Sequence, residues 1–112
     1  MTDAATIAWI FYALGLASEK SPADFGAISQ LADGLNHAVP KHQEMQTSLK
    51  WLAQAGLAVQ TSGGYSLSSA GTDLLNDSSS TTARQVLAHL TDRIASRIAL
   101  SPNPSLERTR DR

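Results

Sequence analysis

Cysteine is absent from this chain of 112 residues. Its absence excludes disulfide bonds and thiolate metal sites. It fits a reducing compartment, so we expect a cytoplasmic protein. The three histidines lie on separate segments without the spacing of metal ligands, and the sequence therefore predicts no metal and no cofactor; they are His37, His42 and His89.

The residue patterns of catalysis are also absent. The sequence has no glycine-rich phosphate loop followed by lysine, no nucleophile elbow and no paired carboxylates at a suggestive spacing. The one glycine pair, Gly63-Gly64, is explained by a hairpin turn. We therefore expect that the protein is not an enzyme.

Charge is scarce, since charged residues make up 17% of the chain and the formal net charge is −1. In residues 1–100, six Lys and Arg stand against eight Asp and Glu, which gives −2. A protein that binds nucleic acid usually carries a basic surface. This balance argues against simple nucleic-acid binding.

No apolar run is long enough to cross a membrane. The longest, residues 4–17, falls short of the roughly 20 residues that a bilayer requires. The residues before it, Met1-Thr2-Asp3, lack the basic charge of a secretion signal. We expect no membrane partner.

The first predicted helix covers residues 3–17, with Thr2 or Asp3 as its N-cap. It is apolar on almost every side, which is typical of either a central core helix or a subunit contact. Its aromatic residues could also line a pocket for a small ligand, or could simply fill the core. The helical stripe consists of Ile7, Ile10, Phe11 and Leu14, and the apolar residues outside it are Trp9, Tyr12 and Leu16.

Two further helices are predicted before residue 57. Ser21-Pro22-Ala23-Asp24 has the features of a helix start, and the second helix would end near Asn36. The third would run from Lys41 to Gly56, beyond the break at Pro40. It has one apolar line, Met45, Leu49 and Leu52, and an opposite face of hydrogen-bonding side chains, Gln43, Gln46, Thr47, Lys50 and Gln54.

A hairpin and two helices are predicted for residues 57–100. Strands Leu57-Ala58-Val59 and Tyr65-Ser66-Leu67 would meet at Thr61-Ser62-Gly63-Gly64, and Ser68 or Ser69 would cap a short helix. Thr82-Ala83-Arg84-Gln85 forms a capping box for a last helix that ends near Leu100. Because this helix follows a fold that is already complete, we expect a partner for its apolar stripe: Ala83, Val86, Leu87, Leu90, Ile94 and Ile98.

This order of elements across residues 6–75 resembles the winged helix-turn-helix superfamily. Residues 49–57, LKWLAQAGL, resemble the end of its recognition helix, and residues 64–71, GYSLSSAG, resemble its second wing strand and the helix that follows. The added last helix is similar to that of dimeric PadR and MarR regulators. The expected fold is mainly α with a two-stranded β wing: a winged-helix domain in residues 1–77, a linker and C-terminal dimerisation helix in 78–100, and a disordered tail in 101–112.

The resemblance implies a homodimeric transcriptional regulator whose third helix enters the DNA major groove. Glutamine can read adenine there, and lysine can bind guanine or phosphate. The implied DNA contacts are Lys41, His42, Gln43, Gln46, Thr47 and Lys50. The expected dimer interface comprises Ile7, Ile10, Phe11, Leu14, Leu87, Leu90, Ile94 and Ile98.

The same polar face could instead be an ordinary solvated helix surface. The wing, residues 60–66, has no Lys or Arg, and Glu44 near the start of the helix would repel phosphate. The alternative function is therefore a winged-helix module that binds another protein and not DNA.

The C-terminal residues carry a second resemblance. Residues 103–110, NPSLERTR, look like the translated recombination site that closes a bacterial integron gene cassette. This resemblance implies a bacterial accessory gene whose basic tail residues, Arg108, Arg110 and Arg112, are incidental. The alternative is a basic tail that contacts phosphate.

Overall fold

Within residues 4–36, 38, 40–78 and 82–100, which the computed structural model describes, five α-helices accompany one antiparallel pair of strands. The sequence prediction of a mainly α chain with a small two-stranded sheet is confirmed. The elements are α1 (Ala4–Ala17), α2 (Phe25–Asn36), α3 (His42–Gln54), β1 (Ala58–Thr61), β2 (Gly64–Leu67), α4 (Ser69–Asp77) and α5 (Ala83–Leu100).

Helix α1 is the centre of the core. Residues 7–15 are buried apart from Tyr12, because α2, α3 and α5 pack around the helix and side chains of β2 and α4 cover it near Gly15. The buried indole of Trp9 has a hydrogen-bond partner, since Nε1 donates a 2.8 Å hydrogen bond to the carbonyl oxygen of Ala32 in α2. Trp9 and Phe11 therefore fill the core, while Tyr12 is half-buried.

Most of the expected dimer interface lies inside a single chain. Six of the eight residues are buried in the core that α1 and α5 share: Ile7, Ile10, Phe11, Leu14, Leu90 and Ile94. These six offer no surface to a second chain in this arrangement, because the partner of α5 is α1 of the same molecule. Of the expected interface, Leu87 and Ile98 keep some exposure. The sequence predicted a boundary at residue 77 between a winged-helix domain and the linker with the C-terminal helix. Residues on both sides of it, such as Leu74 and Val86, belong to one hydrophobic core.

The start of α2 differs from the sequence prediction. Ala23 does not belong to a helical turn; its backbone pairs with Tyr65 of β2 through two 2.8 Å hydrogen bonds. The cap is Asp24, whose Oδ1 accepts a 2.9 Å bond from the N–H of Ala27. Ser21 therefore does not cap this helix, because the segment before Asp24 runs along the edge of the hairpin.

The hairpin lies where the sequence predicted it, but both strands extend further toward the turn than predicted. In its register, Ala58 lies opposite Leu67 and Thr61 opposite Gly64, so Ser62 and Gly63 form the turn. Gly64 has φ +136° and lies so close to Ala23 that a Cβ would collide with the Ala23 backbone. This glycine lets the chain before α2 pair with β2.

Two of the predicted caps are confirmed. Ser68 Oγ accepts a 3.0 Å bond from the N–H of Gly71 at the start of α4, and Thr82 Oγ1 accepts one of 3.2 Å from Gln85 at the start of α5. Ser68 Oγ also donates to the carbonyl oxygen of Gly56. One side chain therefore joins the end of α3, the base of the hairpin and α4.

Several expectations concern residues outside those described: the N-cap at Thr2 or Asp3, His37, and the tail 101–112. In the part of the chain that is described, no helix is both long and apolar enough to cross a membrane.

We predict that Gly71→Ala destabilises the fold. A Cβ on Gly71 would overlap the backbone carbonyl of Leu57, which cannot rotate away, so we expect a loss of about 1–3 kcal/mol in the free energy of unfolding. Chemical denaturation measures this change.

The matched control is Gly34→Ala in α2, where a Cβ would meet nothing within 4 Å. It should raise stability by about 0.5–1 kcal/mol, because alanine loses less backbone entropy than glycine. Equal effects of the two substitutions would contradict the close packing of α4 on Leu57.

Candidate nucleic-acid interface

Helix α3 divides into an anchored face and a free face. Met45, Ser48, Leu49 and Leu52 are buried against the core. All six side chains that the sequence predicted as DNA contacts are exposed: Lys41, His42, Gln43, Gln46, Thr47 and Lys50. Because the apolar face holds the helix on the domain, the polar face is presented on a fixed support.

Helical spacing brings the six residues together. His42, Gln46 and Lys50 follow one another at intervals of four, so they form one line along the helix. Gln43 and Thr47 form a second line beside it, and Lys41 immediately precedes the first turn. The result is a strip two turns long with amide, hydroxyl, imidazole and ammonium groups.

Glu44 has a structural role at the start of this strip. Its Oε1 accepts a 2.9 Å hydrogen bond from the backbone N–H of Lys41, so its side chain turns back over the helix N-terminus. The carboxylate is half-buried and lies where the helix dipole favours negative charge. It stabilises the turn that carries Lys41 and His42, but it also lowers the positive potential there.

An aromatic cluster that sequence reasoning missed lies beside the strip. The ring of Phe25, the first residue of α2, lies 5.3 Å from the His42 ring and 6.2 Å from the Tyr65 ring, measured between centroids. These rings connect the N-terminal ends of α2 and α3 with β2. No local pattern could have shown this, because the three residues belong to three elements that meet only in the folded chain.

The hairpin offers hydrogen-bonding groups and no charge. Val59, Gln60, Thr61, Ser62 and Gly63 are all exposed. Thr61 Oγ1 donates a 3.2 Å bond to the carbonyl oxygen of Gly64, which closes the turn. The tip therefore has no ammonium or guanidinium group with which to hold a phosphate.

The basic residues of α5 are arranged differently. Arg93 forms a 2.9 Å ion pair with Asp77 of α4, and both side chains are largely exposed, so the pair contributes little stability. Asp73 and Arg97 line the same shallow groove between the two helices. Across the described residues, no group of three or more His, Asp or Glu could hold a metal ion.

The chain matches no protein-family profile, no curated protein and no solved structure.

We predict that Glu44→Ala lowers the free energy of unfolding by about 0.5–1 kcal/mol, because the N–H of Lys41 loses its acceptor. Glu44→Gln should lose less, since an amide oxygen still accepts that bond. Thermal or chemical denaturation compares the two variants. Equal losses would show that the charge of Glu44, not its hydrogen bond, stabilises the helix end.

Proposed function

We propose that this protein is a winged-helix DNA-binding regulator that uses α3 as its recognition helix. The observation that carries the proposal is the two-faced α3, which is anchored by buried Met45, Leu49 and Leu52 and exposes a strip of six side chains able to hydrogen-bond. A helix that is held by its apolar face and exposes its polar face suits the DNA major groove, which is wide enough to admit an α-helix.

The order of elements supports the winged-helix assignment. Two helices, α2 and α3, precede a hairpin, and a short pairing at Ala23 between α1 and α2 adds a third segment beside β2. This pairing fixes the hairpin against the start of α2, next to the first turn of α3. In the proposal, the hairpin is the wing and approaches the DNA backbone beside the recognition helix.

The side chains of the strip suit base reading more than phosphate binding. Gln43 and Gln46 can each offer an amide donor and acceptor to the edge of adenine, and Lys50 can donate to guanine or to phosphate. With an uncharged wing, phosphate contacts are few and binding by one chain would be weak. The proposal therefore includes a homodimer, whose two strips together give higher affinity through effective concentration. A cytoplasmic location belongs to the same proposal.

A second candidate is a module that binds another protein through the same surface. The uncharged hairpin and the exposed side chain of Val59, which is 44% accessible, favour it. A mostly neutral face with one apolar residue is ordinary for a protein contact and unusual for a nucleic-acid contact.

The test is selection from random double-stranded DNA at low salt, followed by affinity measurement on the enriched sequence. We expect Gln46→Ala combined with Lys50→Ala to weaken binding by about 10- to 100-fold, since two base or phosphate contacts disappear. Affinity should also fall as salt rises.

The matched control combines Gln30→Ala with Arg84→Ala. It removes the same amide and the same single positive charge from exposed positions on two other helices, α2 and α5. Affinity for the selected DNA should remain within about twofold, since no proposed contact is lost. If no sequence is enriched, or if both double variants bind equally, the DNA proposal fails and the protein-binding candidate replaces it.

A further inference from the structure

Strand β1 is the open edge of the hairpin. Tyr65 of β2 uses both its N–H and its C=O to bond with Ala23. In an antiparallel pair, two residues that face each other either exchange both bonds or exchange none. Gln60 faces Tyr65, so its N–H and C=O must point away from β2, out of the sheet.

The outer side of Gln60 is open as far as the described residues show. No backbone hydrogen bond outside the hairpin reaches it from the part of the chain that the structure describes. Gln60 and its neighbours Val59, Thr61 and Ser62 are exposed, while Ala58 is buried. The accessible edge is therefore short and centred on one residue whose donor and acceptor both face solvent.

This edge lacks the usual protection against pairing. Exposed edge strands commonly carry a lysine, a proline or a bulge that prevents another strand from joining them. Residues 58–63, AVQTSG, contain no charge and no proline. Among the described residues, Val59 is the one large apolar side chain that is exposed, with 44% of its surface accessible.

We propose that β1 pairs antiparallel with β1 of a second copy of this chain, about a two-fold axis at Gln60. The N–H of Gln60 donates to the C=O of Gln60 of the partner subunit, and the reverse bond forms by symmetry. Two hairpins then form one continuous four-stranded sheet.

The register follows from the exposure pattern. An axis at Gln60 uses the backbone N–H and C=O of Gln60, which is exposed. An axis at Val59 would instead require the outward N–H and C=O of Ala58, which is buried. In the Gln60 register, Val59 lies opposite Thr61 of the partner subunit, and this pair occurs twice. Both residues are β-branched and project from the same face of the strand, so the exposed Val59 side chain gains an apolar neighbour.

A second copy is the occupant that this edge fits best. The edge is neutral, so two copies do not repel each other, and its single donor and acceptor complement themselves across the axis. A basic or acidic partner would find no opposite charge here. Because the contact is small, we expect weak, concentration-dependent association. It differs from the α1 and α5 interface and does not depend on DNA binding.

The absence of cysteine makes the register testable by cross-linking. The full-length variants Val59→Cys and Thr61→Cys are mixed under mild oxidation, and the products are distinguished by mass. Facing residues of a non-bonded pair have Cα atoms about 4.5 Å apart, within the range of a disulfide. Two Val59→Cys residues, one from each chain, would be diagonal neighbours across the two strands, about 7–8 Å apart, which is too far for a disulfide.

We expect the mixed disulfide to form several times faster than either same-variant disulfide. Equal rates for all three products would overturn the register, and so would faster linkage between two Val59→Cys chains. Each single variant acts as the control for collisional oxidation.

A backbone test uses Gln60→Pro against Gln60→Ala, with sedimentation equilibrium as the measurement. Proline removes the outward N–H, which makes no bond within the hairpin, and alanine keeps it. Circular dichroism verifies that both variants fold. Dimerisation should be lost with proline and retained with alanine.

A charge at the edge is a separate test. Val59→Lys should raise the dissociation constant of the dimer by about fivefold or more, because two like charges come close together.

A wild-type chain that stays monomeric at millimolar concentration would overturn the proposal. So would a dimer that Gln60→Pro and Val59→Lys leave intact, since it would form through another surface such as the one that contains Leu87 and Ile98. None of these measurements contains DNA. A monomeric wild-type chain would also remove the homodimer from the proposed function, whereas the contacts of α3 with DNA are tested separately by the selection experiment.

Discussion

The burial of α1 is the constraint on which the rest of the structure depends. This helix has no polar face, so it needs cover on every side, and α2, α3 and α5 supply most of that cover from the same chain. The hydrogen bond from Trp9 Nε1 to the carbonyl oxygen of Ala32 offsets the cost of burying the indole N–H between α1 and α2. Helices α2, α3, α4 and α5 and strand β2 contact this helix directly, and β1 is placed through β2 and α3.

This arrangement decides which surfaces are left for function. Because α5 packs on α1, its main apolar stripe is used within the molecule and is not available to a partner. The remaining surfaces of interest are the outer strip of α3 and the edge of β1. Both have many hydrogen-bonding groups and little charge, so any partner they recognise is selected by shape and hydrogen bonding more than by long-range attraction.

Elements with local signals were predictable. Ser68 and Thr82 act as caps because a serine or threonine oxygen reaches an N–H three residues later, a relation that lies within one turn. The exposed strip of α3 follows equally from helical spacing. The pairing of Ala23 with Tyr65 and the rings around Phe25 had no such signal, since they join residues far apart in the chain. Asp24 as the cap of α2 follows from that pairing, which holds the preceding residues extended.

The sequence by itself determined the kinds of element, their order and the polar face of α3, because caps, glycine turns and hydrophobic periodicity act over a few residues. Tertiary structure alone decided what covers the apolar faces. The sequence pattern of an apolar stripe on α5 is the same whether the helix packs on its own chain or on another chain. Only the tertiary packing showed that α1 of the same chain covers it. In the same way, only the bonds of Tyr65 to Ala23 showed that Gln60 faces outward at an open edge.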